Sequence, residues 1–162
     1  MFSVGDNVLH PLHGAGKITS VAMRQNGANR QQYYAVHLIL DDVVIYVPTA
    51  CSGQIGLRPV CSIDTAMRIL YEPWKRLPEQ PSNWNCRYRE NMDRIRSGNI
   101  HATAQVVACL WLRNRRRALA GSEKRMLECA EKILYSELML VTGLSQDEIR
   151  RKLEIQWQKL RG

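Results

Sequence analysis

The sequence predicts an α+β protein in which a small β domain precedes an all-α bundle of about five helices. Two observations support this prediction. Over residues 2–47, apolar β-branched and aromatic residues recur between turn-forming residues, which is typical of short strands. From Ser62 onward the apolar residues recur every three or four positions, which is typical of helices. The predicted domains are residues 1–58 and residues 59–162.

Four strands are predicted in the β domain. They cover Asn7 to His10, Lys17 to Met23, Gln32 to Ile39 and Val43 to Val47. Asn26 and Gly27 form a dipeptide typical of tight turns, so the second and third strands are expected to form a hairpin. Gly14 and Gly16 would permit the sharp bend that a small closed sheet requires. An SH3-like or Tudor-like barrel is the expected architecture.

The predicted helices are each preceded by a residue whose side chain can accept a hydrogen bond from a free amide of the first turn. These capping residues are Ser62, Ser82, Asn99, Ser122 and Ser145. The corresponding helices end before Pro73, at Arg96, in the basic run 113–117, at Thr142 and near Leu160. Three prolines between residues 73 and 81 predict an extended connection, because proline cannot continue a helix.

Composition and motifs argue against several classes of protein. The 162 residues have a mean hydropathy of −0.32 and contain no apolar stretch of bilayer-spanning length or secretory signal, which predicts a cytoplasmic protein without a membrane partner. The five cysteines form no Cys-x-x-Cys pair, and His10 and His13 are interpreted as loop histidines, so no metal or cofactor is expected.

No catalytic motif with usable spacing is present. The sequence lacks a nucleophile beside a base and a paired-carboxylate site, and the glycines before Lys17 lack the remaining residues of a phosphate-binding loop. We therefore expect a protein that is not an enzyme and has no small-molecule substrate.

The charge of the chain is unevenly distributed. The formal net charge is +8, and residues 1–60 hold four Lys/Arg against three Asp/Glu, whereas residues 61–162 hold nineteen against twelve. Clustered Lys/Arg favours a polyanion such as a phosphate backbone, because binding releases condensed counterions. A solvated helical surface would show the same excess, so charge alone leaves both interpretations open.

Trp84 stands in the first turn of a predicted helix that also carries Arg87 and Arg89. A flat apolar ring, guanidinium groups and a helix amino terminus could together meet a phosphate backbone and an exposed base step. However, Trp84 shares a helical stripe with Tyr88 and Ile95, and that pattern alone favours a side chain in the core.

Several short motifs occur in one order along nearly the whole chain. They are Val4-Gly5-Asp6, His13-Gly14-Ala15-Gly16, Gly56-Leu57-Arg58-Pro59-Val60, Pro81-Ser82-Asn83-Trp84, Glu123-Lys124-Arg125-Met126-Leu127 and Ser136-Glu137-Leu138. In this combination the sequence resembles the CarD/CdnL family of bacterial transcription regulators, whose first domain is shared with transcription-repair coupling factor.

For residues 1–58 the resemblance implies a Tudor-like domain that pairs an edge strand with the lobe of the RNA polymerase β subunit. An unpaired strand edge offers a row of backbone donors and acceptors for such docking. The expected docking residues are Arg24, Val43, Val44, Ile45, Tyr46 and Val47. Tyr46 stands where some members of the family have a second arginine, which implies a more apolar contact.

For residues 59–162 the resemblance implies a helical domain that binds promoter DNA at the upstream edge of the transcription bubble. Trp84 matches the family's DNA-contacting tryptophan, which would lodge in the distorted minor groove and oppose re-closure. The expected DNA-binding residues are Trp84, Arg87, Arg89, Arg113, Lys124 and Arg125. Cys86 stands where an arginine is common in the family.

The resulting hypothesis is a cytoplasmic regulator, associated with the nucleoid through RNA polymerase, that stabilises the open complex without base-specific readout. An alternative is a protein-only adaptor of RNA polymerase whose basic helical domain binds an acidic protein. An RNA-binding module is a third interpretation, but the β domain lacks the exposed aromatic pattern of a single-strand platform.

Overall fold

The computed structural model describes residues 1–160 and confirms an α+β chain in which an antiparallel sheet precedes the main helices. The strands are β1 (Asn7–His10), β2 (Gly14–Asn26), β3 (Asn29–Leu38), β4 (Val44–Pro48) and β5 (Arg58–Pro59). They form one sheet in the order β4-β3-β2-β1-β5, so β4 and β5 are its two edges. Closure of this sheet into a Tudor-like barrel stays a prediction.

The predicted hairpin is confirmed, but its arms are longer than predicted. The β2–β3 ladder continues to the pair Asn26–Asn29, and Gly27 in the intervening turn has a φ of +64°. The outer part of the hairpin is exposed and polar, so no apolar alternation marked it in the sequence. Strand β4, at the edge of the sheet next to β3, begins its pairing one residue later than predicted and continues to Pro48.

The helices are α1 (Ser52–Ile55), α2 (Ile63–Tyr71), α3 (Trp84–Arg96), α4 (Ile100–Arg116), α5 (Gly121–Thr142) and α6 (Gln146–Gln158). The five predicted helices correspond to α2 through α6. The short α1, which follows a 3-10 turn at Thr49–Cys51, was not predicted because a single turn has no period to read.

Three of the predicted helix caps are confirmed and two are corrected. The side chains of Ser62, Asn99 and Ser145 accept backbone hydrogen bonds at the starts of α2, α4 and α6. Helix α3 is capped by Asn83 rather than Ser82, because Asn83 Oδ1 accepts from the amide of Cys86 at 3.1 Å. Helix α5 begins at Gly121, and no side chain caps it.

The glycines at the start of β2 serve close packing rather than only a bend. A Cβ atom on Gly14 would lie 2.8 Å from Ser136 Oγ on α5, and one on Gly16 would lie 2.4 Å from the carbonyl oxygen of His37 on β3. The amide of Ala15 donates to the same Ser136 Oγ at 2.8 Å. The sheet therefore lies directly on α5 at this point.

Two hydrophobic clusters fill the interior. One lies within the sheet and includes Val8, Ile18 and Val36, whereas the larger one lies among the helices. Leu9 on β1 and Ala15 on β2 are strand residues, but their side chains are buried in the helical cluster. Because apolar packing is continuous across this contact, the sheet and the helices support one another.

An ion pair between a partly exposed arginine and a buried carboxylate joins the sheet to α5. Arg58 on β5 donates to both carboxylate oxygens of Glu137, at 2.6 and 2.8 Å, and its Nε donates to the carbonyl of Gly98 at 2.6 Å. The Glu137 carboxylate also accepts from the amide of Cys61 at 2.7 Å, and Glu137 is only 1% exposed. We call this group the Arg58–Glu137 joint; β5 pairs with β1 and spans the predicted boundary between residues 58 and 59.

His10 makes the stability of the fold sensitive to acid. Burial, together with the neighbouring His13, lowers the pKa of His10 to about 4, and its Nδ1 accepts from the amides of Leu12 and His13. The unfolded chain binds this proton near pH 6.5, so the stability due to neutral His10 is present above about pH 6.5 and is lost as the pH falls towards 4.

We expect His10→Asn to weaken this pH dependence, because an amide oxygen can accept the same bonds without taking up a proton. Urea unfolding of both proteins between about pH 4 and 7 would measure the difference. Parallel pH profiles would show that His10 is not the responsible group.

Candidate functional site

Trp84 is an exposed aromatic side chain at the first position of α3. The residue is 43% exposed, and its ring stacks on Tyr88 with 5.5 Å between centroids and 30° between planes. Ile95, further along the same stripe, is 1% exposed. The interpretation of Trp84 as a core residue is therefore wrong, because the stripe begins in solvent at Trp84, packs partly on the helical core at Tyr88 and is fully buried at Ile95.

Arg87, three residues after Trp84 on the same helix, is buried. Its Nε and Nη2 lie 2.7 Å from Glu123 Oε1, and its Nη1 donates to the carbonyls of Pro81 and Ser82 at 3.1 Å each. The guanidinium thus ties three segments together: the connection before α3, the first turns of α3 and the start of α5. This placement was not anticipated, since Arg87 was predicted to face phosphates.

Glu123 is the residue of this region that sequence reasoning missed. It lies within the Glu-Lys-Arg-Met-Leu motif and is 3% exposed. In the sequence Glu123 stands out only as the first residue of that motif. Nothing in the spacing showed which of the several arginines would be its partner.

The other predicted DNA-binding residues are more accessible. Arg89, Lys124 and Arg125 are exposed, and Arg113 is half-buried near the end of α4. Because Glu123 pairs with Arg87, Lys124 and Arg125 lie where the start of α5 meets the start of α3. None of these four residues forms a salt bridge with another residue in the described part of the chain.

The edge strand β4 is the second candidate surface. Within the described sheet β4 pairs with β3 alone, so its other side presents unpaired backbone groups. Val44 and Tyr46 are 42% and 48% exposed, Ile45 is half-buried, and Val47 points into the sheet cluster. Val43 precedes the strand and is exposed, with its carbonyl accepting from the amide of Leu38.

Arg24 and Tyr46 form one unit on this surface. The guanidinium carbon of Arg24 lies 4.1 Å from the centroid of the Tyr46 ring, although the two residues belong to strands separated by β3. A cation over an aromatic face is attracted by the ring quadrupole. The tyrosine therefore holds the arginine beside the edge strand.

Two of the cysteines are shielded from solvent. Burial raises the pKa of Cys61 and of Cys109 to about 11, so both remain protonated thiols near neutral pH. No group of three or more potential metal ligands occurs within residues 1–160. No helix in the same range is long and apolar enough to cross a bilayer.

Comparison with known proteins matches both parts of the chain. Residues 2–61 match the family model of the CarD-like/TRCF RID domain, and residues 66–154 match that of the CarD carboxyl-terminal domain. The chain is also 32% identical over 150 residues to "Putative transcription factor YdeB" of Bacillus subtilis strain 168. That match covers 93% of this chain and 98% of the relative.

Proposed function

Because this chain belongs to the CarD/CdnL family of bacterial transcription regulators, we propose that it bridges RNA polymerase and promoter DNA. Family membership itself indicates transcription regulation involving RNA polymerase. The finer proposal is that residues 1–58 dock on the polymerase β subunit and residues 59–162 bind DNA at the upstream edge of the bubble. There the protein stabilises the open complex without reading base identity.

The main support for the DNA contact is the exposed indole of Trp84. Its ring is braced from one side by Tyr88, and the helix that carries it is anchored by Arg87 and Glu123. Apolar side chains that enter a minor groove widen or unstack a base step, and a rigidly presented ring loses little conformational entropy on doing so. Base–aromatic contacts contribute about 1–3 kcal/mol each, which corresponds to roughly 5- to 150-fold in an equilibrium.

The basic side chains near Trp84 suit a contact without base readout. Arg89, Lys124 and Arg125 are exposed and can reach phosphates, whereas Arg87 is already bonded within the protein. We therefore assign Arg87 to positioning of the DNA-binding segment rather than to a direct phosphate contact. Phosphate contacts of this kind fix position and raise affinity at every sequence.

The polymerase contact is supported by the free edge of β4. Pairing of this edge with a strand of the β subunit would satisfy backbone groups that the sheet leaves unpaired. The Arg24–Tyr46 unit lies beside the edge and can add a cation and an apolar surface to the same contact.

Replacing Trp84 by alanine tests the proposal directly. We expect the variant to keep its fold and its polymerase affinity, because the ring is exposed. The factor by which the protein lengthens the lifetime of the open complex should fall roughly tenfold. The measurement is the lifetime of open complexes formed by the matching polymerase, with competitor DNA added. Trp84→Phe, which keeps a flat ring, serves as the matched control and should retain part of the gain.

An unchanged lifetime for Trp84→Ala would contradict the role of the indole. If the unaltered protein bound polymerase but produced neither a lifetime gain nor a footprint at the bubble edge, the protein-only adaptor would be the better description.

A further inference from the structure

Helix α2 carries a line of apolar side chains that face solvent. Ile63, Met67 and Tyr71 are 53%, 43% and 52% exposed, and their spacing of four residues places them along one side of the helix. Ile155 on the neighbouring α6 is 57% exposed. Isolated apolar side chains are normal on a surface, but a contiguous set rimmed by polar residues marks an interaction site.

A cleft between α2 and α6 continues this apolar line into the protein. It has a volume of about 300 Å³, with Tyr71 and Ile155 at its sides and Leu70, Pro73 and Trp74 also in its lining. A space of this size accepts one or two side chains of a binding partner rather than a whole folded domain. We call the cleft and the exposed side chains of α2 the α2–α6 face.

The charged side chains that line the cleft of this face are basic. Lys152 and Lys159 are the charged residues among those of residues 1–160 that line the cleft. The ammonium of Lys152 lies 4.9 Å from the centroid of the Tyr71 ring, which keeps a cation at the mouth of the cleft. The carboxylates of Asp64 on α2 and of Glu72 just after it lie outside the cleft lining and approach Arg68, at 3.2 and 3.9 Å.

We propose that the α2–α6 face binds an acidic amphipathic helix of a protein partner. Apolar side chains of that helix would pack on Tyr71 and Ile155, while its carboxylates would meet Lys152 and Lys159. This is the usual arrangement of a helix laid in a groove, with apolar anchors giving affinity and charges giving selectivity. The inference goes beyond the bridging of polymerase and promoter DNA.

Charge and position argue against two other occupants. A second copy of the chain, paired through the same face about a two-fold axis, would bring the lysines of both copies to one interface. A DNA duplex gains little from aliphatic side chains, and the Trp84 region lies on α3, which packs on α4 and α5, whereas α2 packs on α5 and α6.

The test uses two synthetic helical peptides with leucines at one face and either glutamates or lysines at all other positions. We expect the glutamate peptide to bind the full chain and to shift the amide resonances of residues around Tyr71 and Ile155. Its affinity should decrease as the NaCl concentration rises from about 50 to about 300 mM. The lysine peptide should bind at least tenfold more weakly. Fluorescence anisotropy measures affinity, and ¹⁵N-¹H correlation spectra locate the site.

Substitutions at the face separate this inference from nonspecific attraction to a basic protein. We expect the affinity for the glutamate peptide to fall about tenfold in Ile155→Ser, and also in the double variant Lys152→Glu with Lys159→Glu. The double variant should bind the lysine peptide more tightly than the glutamate peptide. Val4→Ser, at an exposed apolar position on the amino-terminal segment, is the matched control and should change nothing.

Unchanged thermal unfolding of all variants would show that the fold is intact. Resonance shifts centred on Arg89 and Lys124, or equal binding of both peptides, would overturn the inference. Concentration-dependent dimerisation that Ile155→Ser abolishes would replace it with self-association.

Discussion

Replacing Arg58 by alanine is expected to lower the free energy of unfolding by about 3–5 kcal/mol, because it leaves the Glu137 carboxylate buried without its counter-charge. For a chain of this length, a loss of that size lowers the melting temperature by roughly 6–20 °C. The carbonyl of Gly98 would also lose its donor. Thermal and urea unfolding, followed by circular dichroism, measure the effect.

Two further variants decide whether the buried charge is the cause. Combining Arg58→Met with Glu137→Gln should recover more than half of the loss, because the neutral amide can still accept from the amide of Cys61. Asp41→Asn is the matched control: Asp41 pairs with Lys132 on α5 at 2.5 Å, but both side chains are about one-third exposed, so the cost should stay below about 1 kcal/mol. If Arg58→Ala and Asp41→Asn lowered the free energy of unfolding equally, burial of the Glu137 carboxylate would not be the cause of the effect.

Replacing Arg87 by alanine is expected to destabilise the chain by a similar amount, about 3–5 kcal/mol, and to disorganise the segment that presents Trp84. The substitution leaves Glu123 buried and unpaired and frees the carbonyls of Pro81 and Ser82. Arg87→Lys should rescue only part of the loss, because an ammonium cannot reproduce the fork of donors. Urea unfolding gives the stability, and hydrogen exchange of residues 83–90 reports the local effect.

Arg89→Ala is the matched control for this prediction. Arg89 is exposed two residues further along the same helix, so its loss should leave stability within about 0.5 kcal/mol and reduce DNA affinity at every sequence, with a salt slope smaller by about one. If Arg87→Ala behaved in the same way as Arg89→Ala, Arg87 would be a direct phosphate contact and its assignment as a positioning residue would fail.

Local signals in the sequence predicted most of the fold. Capping side chains at Ser62, Asn99 and Ser145 gave helix starts correctly, because a cap depends on a few neighbouring atoms. The signal failed at α3, where Asn83 rather than the predicted Ser82 caps the helix, and at α5, where the predicted cap Ser122 lies inside the helix and forms no cap bond. The two-residue strand β5 was not predicted, since its pairing with β1 depends on residues some fifty positions away.

The candidate site was less predictable than the fold. Periodicity put Trp84 on the stripe of Ile95 but could not show where along the helix the core begins. The ion pairs of Arg87 with Glu123 and of Arg58 with Glu137 join residues 36 and 79 positions apart, and each arginine had many possible carboxylate partners. Such choices are made by tertiary packing and are not visible in one sequence.

The Arg58–Glu137 joint has a mechanical consequence under the proposed function. Since the sheet is fastened to α5 there, and since the amide of Ala15 bonds α5 nearby, no flexible tether separates the polymerase-docking end from the DNA-binding end. Binding of polymerase at one end would then place the DNA-binding surface at a fixed distance and angle, which raises its local concentration at one position on the promoter. Substitutions that weaken the joint would make the orientation of the two contact surfaces variable, although the residues of both surfaces would be unchanged.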